Sequence, residues 1–154
     1  MAVRSRAIFA SWLRNFVFGV DDGLVSTVGL LSGVAVAGVP RSTIIVTGLI
    51  LITVEAFSMA VGSFLSEHSA EEYIDKKKVS FSLPFVDSII MLLSYIGAGL
   101  IPLSPSFFFD ARSALWYSII LSLATLFLLG SISAKLSKTN ILKHAFEMLI
   151  IGGA

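Results

Sequence analysis

Long runs of apolar residues, separated by short polar segments, make up most of this chain. Four of the runs are long enough to cross a bilayer as helices, which takes about 20 mostly apolar residues each. They cover about residues 16–39, 43–66, 84–103 and 113–134. A fifth apolar run, 145–154, reaches only half way across the bilayer. The pattern predicts an all-α, polytopic membrane helical bundle in a single transmembrane domain, 1–154, with four full spans and a truncated fifth.

The composition narrows the class of protein. Of the 154 residues, 56% are hydrophobic and 14% are charged, whereas soluble domains carry about 25% charged residues. So few charges cannot cover the surface of a water-soluble domain, which argues against a soluble enzyme, a nucleic-acid binder and a disordered chain. The chain has no cysteine and lacks both a Ser/His/Asp set and an HExxH pattern. We therefore expect a membrane protein that is not an enzyme and has no resident cofactor.

The positive charges predict the orientation. When successive spans alternate in direction, nine lysine and arginine residues fall on one side and two, Arg41 and Arg112, on the other. The nine are Arg4, Arg6, Arg14, Lys76, Lys77, Lys78, Lys135, Lys138 and Lys143. Loops rich in lysine and arginine stay in the cytoplasm. We therefore expect a cytoplasmic N-terminus, a short cytoplasmic loop over 67–83 and no dual topology.

Several acidic residues lie at depths where membrane helices rarely carry them. Asp21 and Asp22 are about two turns inside the first span, and Glu55 is at the middle of the second. An acid at the bilayer centre costs about 3 kcal/mol on insertion scales, so it persists where it faces protein or water and serves a function. We favour a functional role for Glu55 over a carboxyl that only holds helices together. Asp87 and Glu147 lie near span ends, where we favour a structural role.

Helical spacing places these acids on stripes of small residues. The first stripe is Asp22, Ser26, Gly29 and Gly33, and the second is Gly48, Glu55, Met59, Gly62 and Ser66. Small residues let a neighbouring helix approach closely, so each acid is expected inside a helix contact. Ordinary helix packing also explains most of these glycines.

The carboxylate of Glu55 and the thioether of Met59 are one helical turn apart, so they can bind one ion. Carboxylates alone suit Mg²⁺, Ca²⁺ or Mn²⁺, and a softer sulfur ligand shifts the preference toward Fe²⁺. One subunit offers Asp22, Glu55 and Met59, too few ligands for an octahedral ion. Two subunits related by a two-fold axis supply six, which predicts a homodimer with the ion pathway at its interface.

The acidic stretch after the second span is predicted to continue that helix. Glu67 and Glu71 then lie on one face, and His68 faces Glu72. Like charges one turn apart repel mildly, and a bound cation relieves the repulsion. We consider Glu67, Glu71 and Glu72 a candidate entrance that concentrates metal ions. A solvated acidic turn, offset by Lys76–Lys78, is the alternative.

Three segments carry a resemblance to a known family: Asn15–Thr27 (NFVFGVDDGLVST), Glu55–Gly62 (EAFSMAVG) and Gly97–Pro102 (GAGLIP). With them the sequence resembles the vacuolar iron transporter family over nearly its whole length. The resemblance implies a homodimer of five-helix protomers that moves Fe²⁺, in some members Mn²⁺, out of the cytosol in exchange for protons. It carries the family's transport residues over to Asp22, Glu55 and Met59.

The sequence departs from the family pattern in three places. Vacuolar-type members carry a long, Glu-rich cytoplasmic metal-binding domain between the second and third helices, where this chain has only the loop 67–83. Ser63 stands where many members carry an acid, and the fifth helix stops at residue 154, where the family continues. We expect a short prokaryotic-type member in the plasma membrane, with a fifth helix that is either cut short or packed as a half-helix.

Two other function classes stay open. One is a transporter of another small cation, which metal competition and dependence on Met59 would identify. The other is a non-transporting membrane metal sensor or oligomerising module, which would bind metal without flux. The expected partners are a second copy of the chain, divalent metal ions, protons and the lipid bilayer, with no nucleic acid.

Overall fold

The computed structural model describes residues 2–75 and 81–152, which form five α-helices and contain no strand. The helices are α1 (Ala2–Val36), α2 (Arg41–Asp75), α3 (Ser82–Leu103), α4 (Ala111–Ser137) and α5 (Ile141–Gly152), with a 3-10 turn at Ser104–Phe107. α1 to α4 are each long and apolar enough to cross a membrane. The predicted all-α membrane bundle with four full spans is therefore confirmed. Lys76, Lys77 and Lys78 lie outside the described residues.

The first two helices are longer than their apolar runs. α1 begins at Ala2 and α2 continues to Asp75, because backbone hydrogen bonding goes on through the polar residues that flank each run. The expected continuation of the second helix through the acidic stretch is present. α1 begins, α2 ends and α3 begins at the same end of the bundle, which we call the N-terminal end.

α3 lies at the centre of the protomer, packed against both α1 and α2. Two glycines of α1 make this contact tight. A Cβ at Gly19 would lie 2.6 Å from Ser94 Oγ, and a Cβ at Gly23 would lie 2.7 Å from the carbonyl oxygen of Tyr95. Because any larger side chain would push the two backbones apart, this glycine pair sets the distance between α1 and α3.

The glycines that helical spacing selects on α1 do not make a contact of this kind inside the protomer. Within the described part of the chain, a Cβ at Gly29 or Gly33 would meet no atom within 4 Å. On α2, Gly62 is equally open, whereas a Cβ at Gly48 would lie 2.6 Å from Leu103 Cδ1. The face of α1 and α2 that carries the predicted stripes is therefore largely uncovered.

Turns and caps fix the remaining helix ends. The Pro40 carbonyl accepts hydrogen bonds from the amides of Thr43 and Ile44, so α2 begins directly after this proline. The Asp110 carboxylate caps α4 by accepting from the Ser113 amide at 3.2 Å. Hydrogen bonds from the side chain and backbone of Ser113 lower the pKa of Asp110 below its usual range.

α5 is a short helix of 12 residues that packs mainly on α4. A Cβ at Gly130 would lie 2.8 Å from the Cα of Ala145, so this glycine lets the two helices come together. The other end of α5 reaches α1, where Gly152 lies against the Asp21 carboxylate. Within the described residues, α5 therefore contacts both α4 and α1.

Candidate functional site

Acidic residues from two helices lie in electrostatic range of one tyrosine. Asp22 on α1 and Glu55 on α2 are both half-buried. Each carboxylate is close enough to Tyr95 on α3 for their charges to interact. Tyr95 is fully buried, and its hydroxyl has no partner in hydrogen-bond geometry among the described residues. Tyr95, with Ser26 of α1 within hydrogen-bond reach, therefore lies in electrostatic range of both predicted membrane-depth acids.

A groove opens between α1, α2 and α3 on the N-terminal side of these acids. Its volume is about 610 Å³, and its lining includes Phe18, Ser58, Met59, Gly62, Ser63 and Met91. Met59 lies one turn along α2 from Glu55, and Met91 lies one turn along α3 from Tyr95. The groove is thus adjacent to the Asp22–Glu55 pair.

Two thioether side chains line the groove. Met59, which the sequence singles out, is half-buried, and Met91, which it does not, is only 3% exposed. Thioether sulfurs are soft donors that favour Fe²⁺ over Mg²⁺ or Ca²⁺. Met91 gives no signal by spacing alone, because a methionine in an apolar span is ordinarily core filler. Tyr95 gives only a weak signal in the sequence, namely a hydroxyl at the middle of an apolar span.

A polar bridge crosses the groove between α1 and α2. The Ser63 hydroxyl donates to Asn15 Oδ1 at 2.7 Å, and Asn15 Nδ2 donates to the Ser11 carbonyl at 3.1 Å. Asn15 is 3% exposed, so these bonds satisfy a buried amide. Ser63, at the position where many members of the resembled family carry an acid, therefore has a hydroxyl that is already hydrogen-bonded.

Arg14 and Glu67 form an ion pair at the rim of the groove. Arg14 Nη2 lies 2.5 Å from Glu67 Oε2. Next to it, Ser11 Oγ donates to Asp87 Oδ2 at 2.7 Å and lies 3.4 Å from Glu67 Oε1. α1, α2 and α3 are thus joined by a network of charged and polar groups at the N-terminal end.

The other acids of the α2 extension do not converge with Glu67. Glu72 Oε1 lies 3.4 Å from His68 Nε2. The His68 ring stacks against Phe81 at 4.6 Å and Phe64 at 5.8 Å between centroids. Glu71 is half-buried one turn beyond Glu67. In the described residues, no three His, Asp or Glu side chains are grouped to hold a metal ion.

The remaining acids have separate surroundings. Asp21 faces α5 and Gly152, and its Oδ1 is buried without a partner among the described residues. Glu147 lies 3.2 Å from His144 Nδ1 and 3.8 Å from Lys143 Nζ, both one turn before it on α5. Asp21 and Glu147 therefore lie apart from the groove.

The sequence profile of the VIT family matches residues 13–80 and 74–154 of this chain. Vacuolar iron transporter homolog 4 of Arabidopsis thaliana is 29% identical over 155 residues, which cover 93% of this chain and 78% of that protein. VIT-like transporter 1b of Glycine max is 27% identical over 162 residues, with 93% and 71% covered. A protein of Methanocaldococcus jannaschii is 29% identical over 159 residues, with 90% and 82% covered.

Proposed function

Because this chain belongs to the VIT family, we propose that it is a transporter that moves Fe²⁺, and also Mn²⁺, out of the cytosol in exchange for protons. Relatives named vacuolar iron transporter align with most of its length. The observation that carries the proposal is that Asp22 and Glu55 both lie in electrostatic range of Tyr95, next to a groove lined by two methionines. This arrangement suits binding and passage of an ion rather than covalent chemistry.

Asp22, Glu55 and Met59 are the proposed metal ligands. The two carboxylates supply charge, since a divalent ion cannot enter a bilayer without compensation. The thioether favours Fe²⁺ over harder ions that prefer an all-oxygen site. Met91 offers a second sulfur from the same groove, and the Tyr95 hydroxyl is a further oxygen near the acids.

A homodimer completes the proposed pathway. One protomer presents too few ligands for an octahedral ion, and its groove is open on one side. Gly29, Gly33 and Gly62 offer room on the uncovered face of α1 and α2, where another helix can approach. A two-fold axis along this face would set two grooves against each other and bring six ligands together.

Proton exchange follows from competition for the same carboxylates. When the metal leaves, Asp22 and Glu55 remain at membrane depth, where two unpaired negative charges are unfavourable. Protons that bind from the far side neutralise them, and the next metal ion displaces these protons toward the cytosol. Metal and protons thus move in opposite directions without a separate proton path.

The N-terminal end is proposed to face the cytosol of a prokaryotic cell. Arg14, Lys135, Lys138 and Lys143 lie at this end, as the rule for positive loops requires of a cytoplasmic side. Glu67, Glu71 and Glu72 lie there as well and would raise the local concentration of metal ions. The groove opens on this side of the acids, so an ion from the cytosol meets Glu67 before Met59.

Metal flux in the parent protein and in a Glu55 variant tests the proposal. Purified protein is reconstituted into liposomes that contain a metal-sensitive fluorophore, and Fe²⁺ or Mn²⁺ is added under an imposed pH gradient. We expect uptake that follows the proton gradient and that Glu55→Gln reduces at least tenfold, because the amide cannot balance the metal charge. Glu147→Gln, an acid apart from the groove, is the matched control and should keep the parent rate.

Each failure has its own meaning. If Glu55→Gln carries metal as fast as the parent, Glu55 is not a ligand of the pathway. If the parent binds metal but shows no flux under any gradient, the protein is a sensor or an oligomerising module. If metal uptake is as fast without a pH gradient as with one, and metal entry changes the pH on neither side of the liposome membrane, the proposed exchange for protons is wrong.

A further inference from the structure

Asp87 is the most deeply buried acid of the rim network. It is 2% exposed, and its Oδ2 accepts the hydrogen bond from Ser11. Its Oδ1 is also buried, with no hydrogen-bond partner among the described residues. Both Glu67 and Arg14 are close enough for electrostatic interaction with Asp87. A buried carboxylate oxygen without a donor is strongly unfavourable, so a cation or a proton bound at this atom would stabilise it.

Among the described residues, the cationic side chain that contacts this network is that of Arg14 on α1. Arg14 reaches Glu67 from the solvent side, with its own side chain 64% exposed and that of Glu67 25% exposed. A mostly hydrated guanidinium loses little when it swings back into water, because exposed ion pairs are weak. The carboxylates, in contrast, are held by helices that pack against one another.

We infer that Glu67, Asp87 and Ser11 form a divalent-cation site at the mouth of the groove, which Arg14 occupies until a metal ion displaces it. We call these three residues the mouth site. The inference rests on the proposed function, since it concerns the first stop of the transported ion. The residues come from α2, α3 and α1, respectively, so the site exists only where the three helices meet.

The charges of the mouth site explain why it would select divalent ions. With Arg14 displaced, the carboxylates of Glu67 and Asp87 leave two negative charges. A divalent ion such as Mn²⁺ or Fe²⁺ neutralises both, and two carboxylates with a hydroxyl are ligands that suit it. A monovalent ion leaves one charge unbalanced and competes poorly with the tethered guanidinium. Arg14 thus acts as a competitor that keeps abundant monovalent cations out of the mouth site.

Equilibrium binding tests the inference independently of flux. The purified protein carries Glu55→Gln in every variant, which removes one of the proposed metal ligands at membrane depth. Mn²⁺ binding is then measured from the electron paramagnetic resonance signal of free Mn²⁺. Adding Arg14→Gln should lower the dissociation constant for Mn²⁺ about tenfold, because the competitor is gone. Arg14→Lys keeps a tethered cation and should stay near the parent value.

Three further variants separate the mouth site from general electrostatics. Adding Asp87→Asn to Arg14→Gln should abolish the tighter Mn²⁺ binding. Adding Ser11→Ala instead should weaken it, and this variant replaces Asp87→Asn if size-exclusion chromatography shows that Asp87→Asn is poorly folded. Lys143→Gln removes an equal charge at the same end and should leave binding unchanged. The inference is wrong if Arg14→Gln does not tighten Mn²⁺ binding, if Lys143→Gln tightens it equally, or if the gain survives both Asp87→Asn and Ser11→Ala.

The outcomes for the two proposals are distinguishable. If the parent protein shows no metal flux but the variants change Mn²⁺ binding as expected, transport is wrong and the mouth site stands. Flux that depends on Glu55, together with Mn²⁺ binding that ignores Arg14, would keep transport and overturn the mouth site.

Discussion

Gly23 of α1 packs directly against the backbone of Tyr95 on α3, where an added Cβ would lie 2.7 Å from the carbonyl oxygen and 3.2 Å from the Cα. Gly23 follows Asp22 in the chain, and Tyr95 lies in electrostatic range of both Asp22 and Glu55. The contact therefore sets how closely the backbone next to Asp22 approaches the backbone of Tyr95.

Gly23→Ala should destabilise the protein and slow metal uptake together. The new methyl group meets backbone atoms, which cannot rotate away, so α1 and α3 must separate at a cost of about 1–3 kcal/mol. A fall in the thermal unfolding midpoint in detergent measures this. Gly97→Ala is the control, because a Cβ there meets no atom within 4 Å in the described part of the chain. An unchanged midpoint for Gly23→Ala would show that the contact is not rigid.

Gly33→Leu should weaken the proposed homodimer. Gly33 lies on the uncovered face of α1, where a leucine would occupy the room for a helix of the second copy. Light scattering after size-exclusion chromatography would report a shift from dimer to monomer. Gly97→Leu adds the same side chain to an open glycine of α3 and should leave the dimer intact. A parent protein that is monomeric throughout would contradict the proposed two-fold pathway.

Met59→Leu and Met91→Leu should each reduce the preference for Fe²⁺. Leucine keeps the volume and apolar character of methionine but removes the sulfur ligand, so stability changes little. The measurement is the Mn²⁺ concentration that halves Fe²⁺ uptake, which should fall several-fold in both variants. Met148→Leu on α5 lies outside the groove and should leave this concentration unchanged. Unaltered competition in Met91→Leu would limit the thioether ligands to Met59.

The Asp110 cap predicts a pH dependence of stability at the start of α4. Its folded pKa is lowered by hydrogen bonds from Ser113, so the charged cap stabilises the folded state above the unfolded pKa of about 3.9. That contribution disappears as the pH falls through the lower, folded pKa. Asp110→Ala should therefore unfold more easily than the parent at pH 7 and equally easily in strong acid.

The control for the cap is Asp110→Asn, since asparagine is also a good N-cap and does not titrate. Its stability relative to Asp110→Ala should not depend on pH in this range. A pH-independent difference between the parent and Asp110→Ala would show that the carboxylate does not act through its charge.

The sequence by itself determined the class of fold and the helices. Burial in lipid depends on the local density of apolar residues, so the four spans and the short fifth helix are visible as runs along the chain. Helical periodicity likewise placed Glu55 and Met59 one turn apart, and predicted that α2 continues through the acidic stretch. These are local properties, fixed by neighbours within a few residues.

Only the tertiary structure decided which helix each face meets. Arg14 and Glu67 are 53 residues apart, and Ser11 and Asp87 are 76 apart, so no local pattern connects them. Spacing selected Gly29 and Gly33 for close packing, but Gly19 and Gly23 make that contact with α3. The rotation and height of one helix against another depend on which small residues interlock across the interface. That interlocking, which the order of residues along one helix does not contain, is what placed Tyr95 in range of the predicted acids and Met91 in the same groove as Met59.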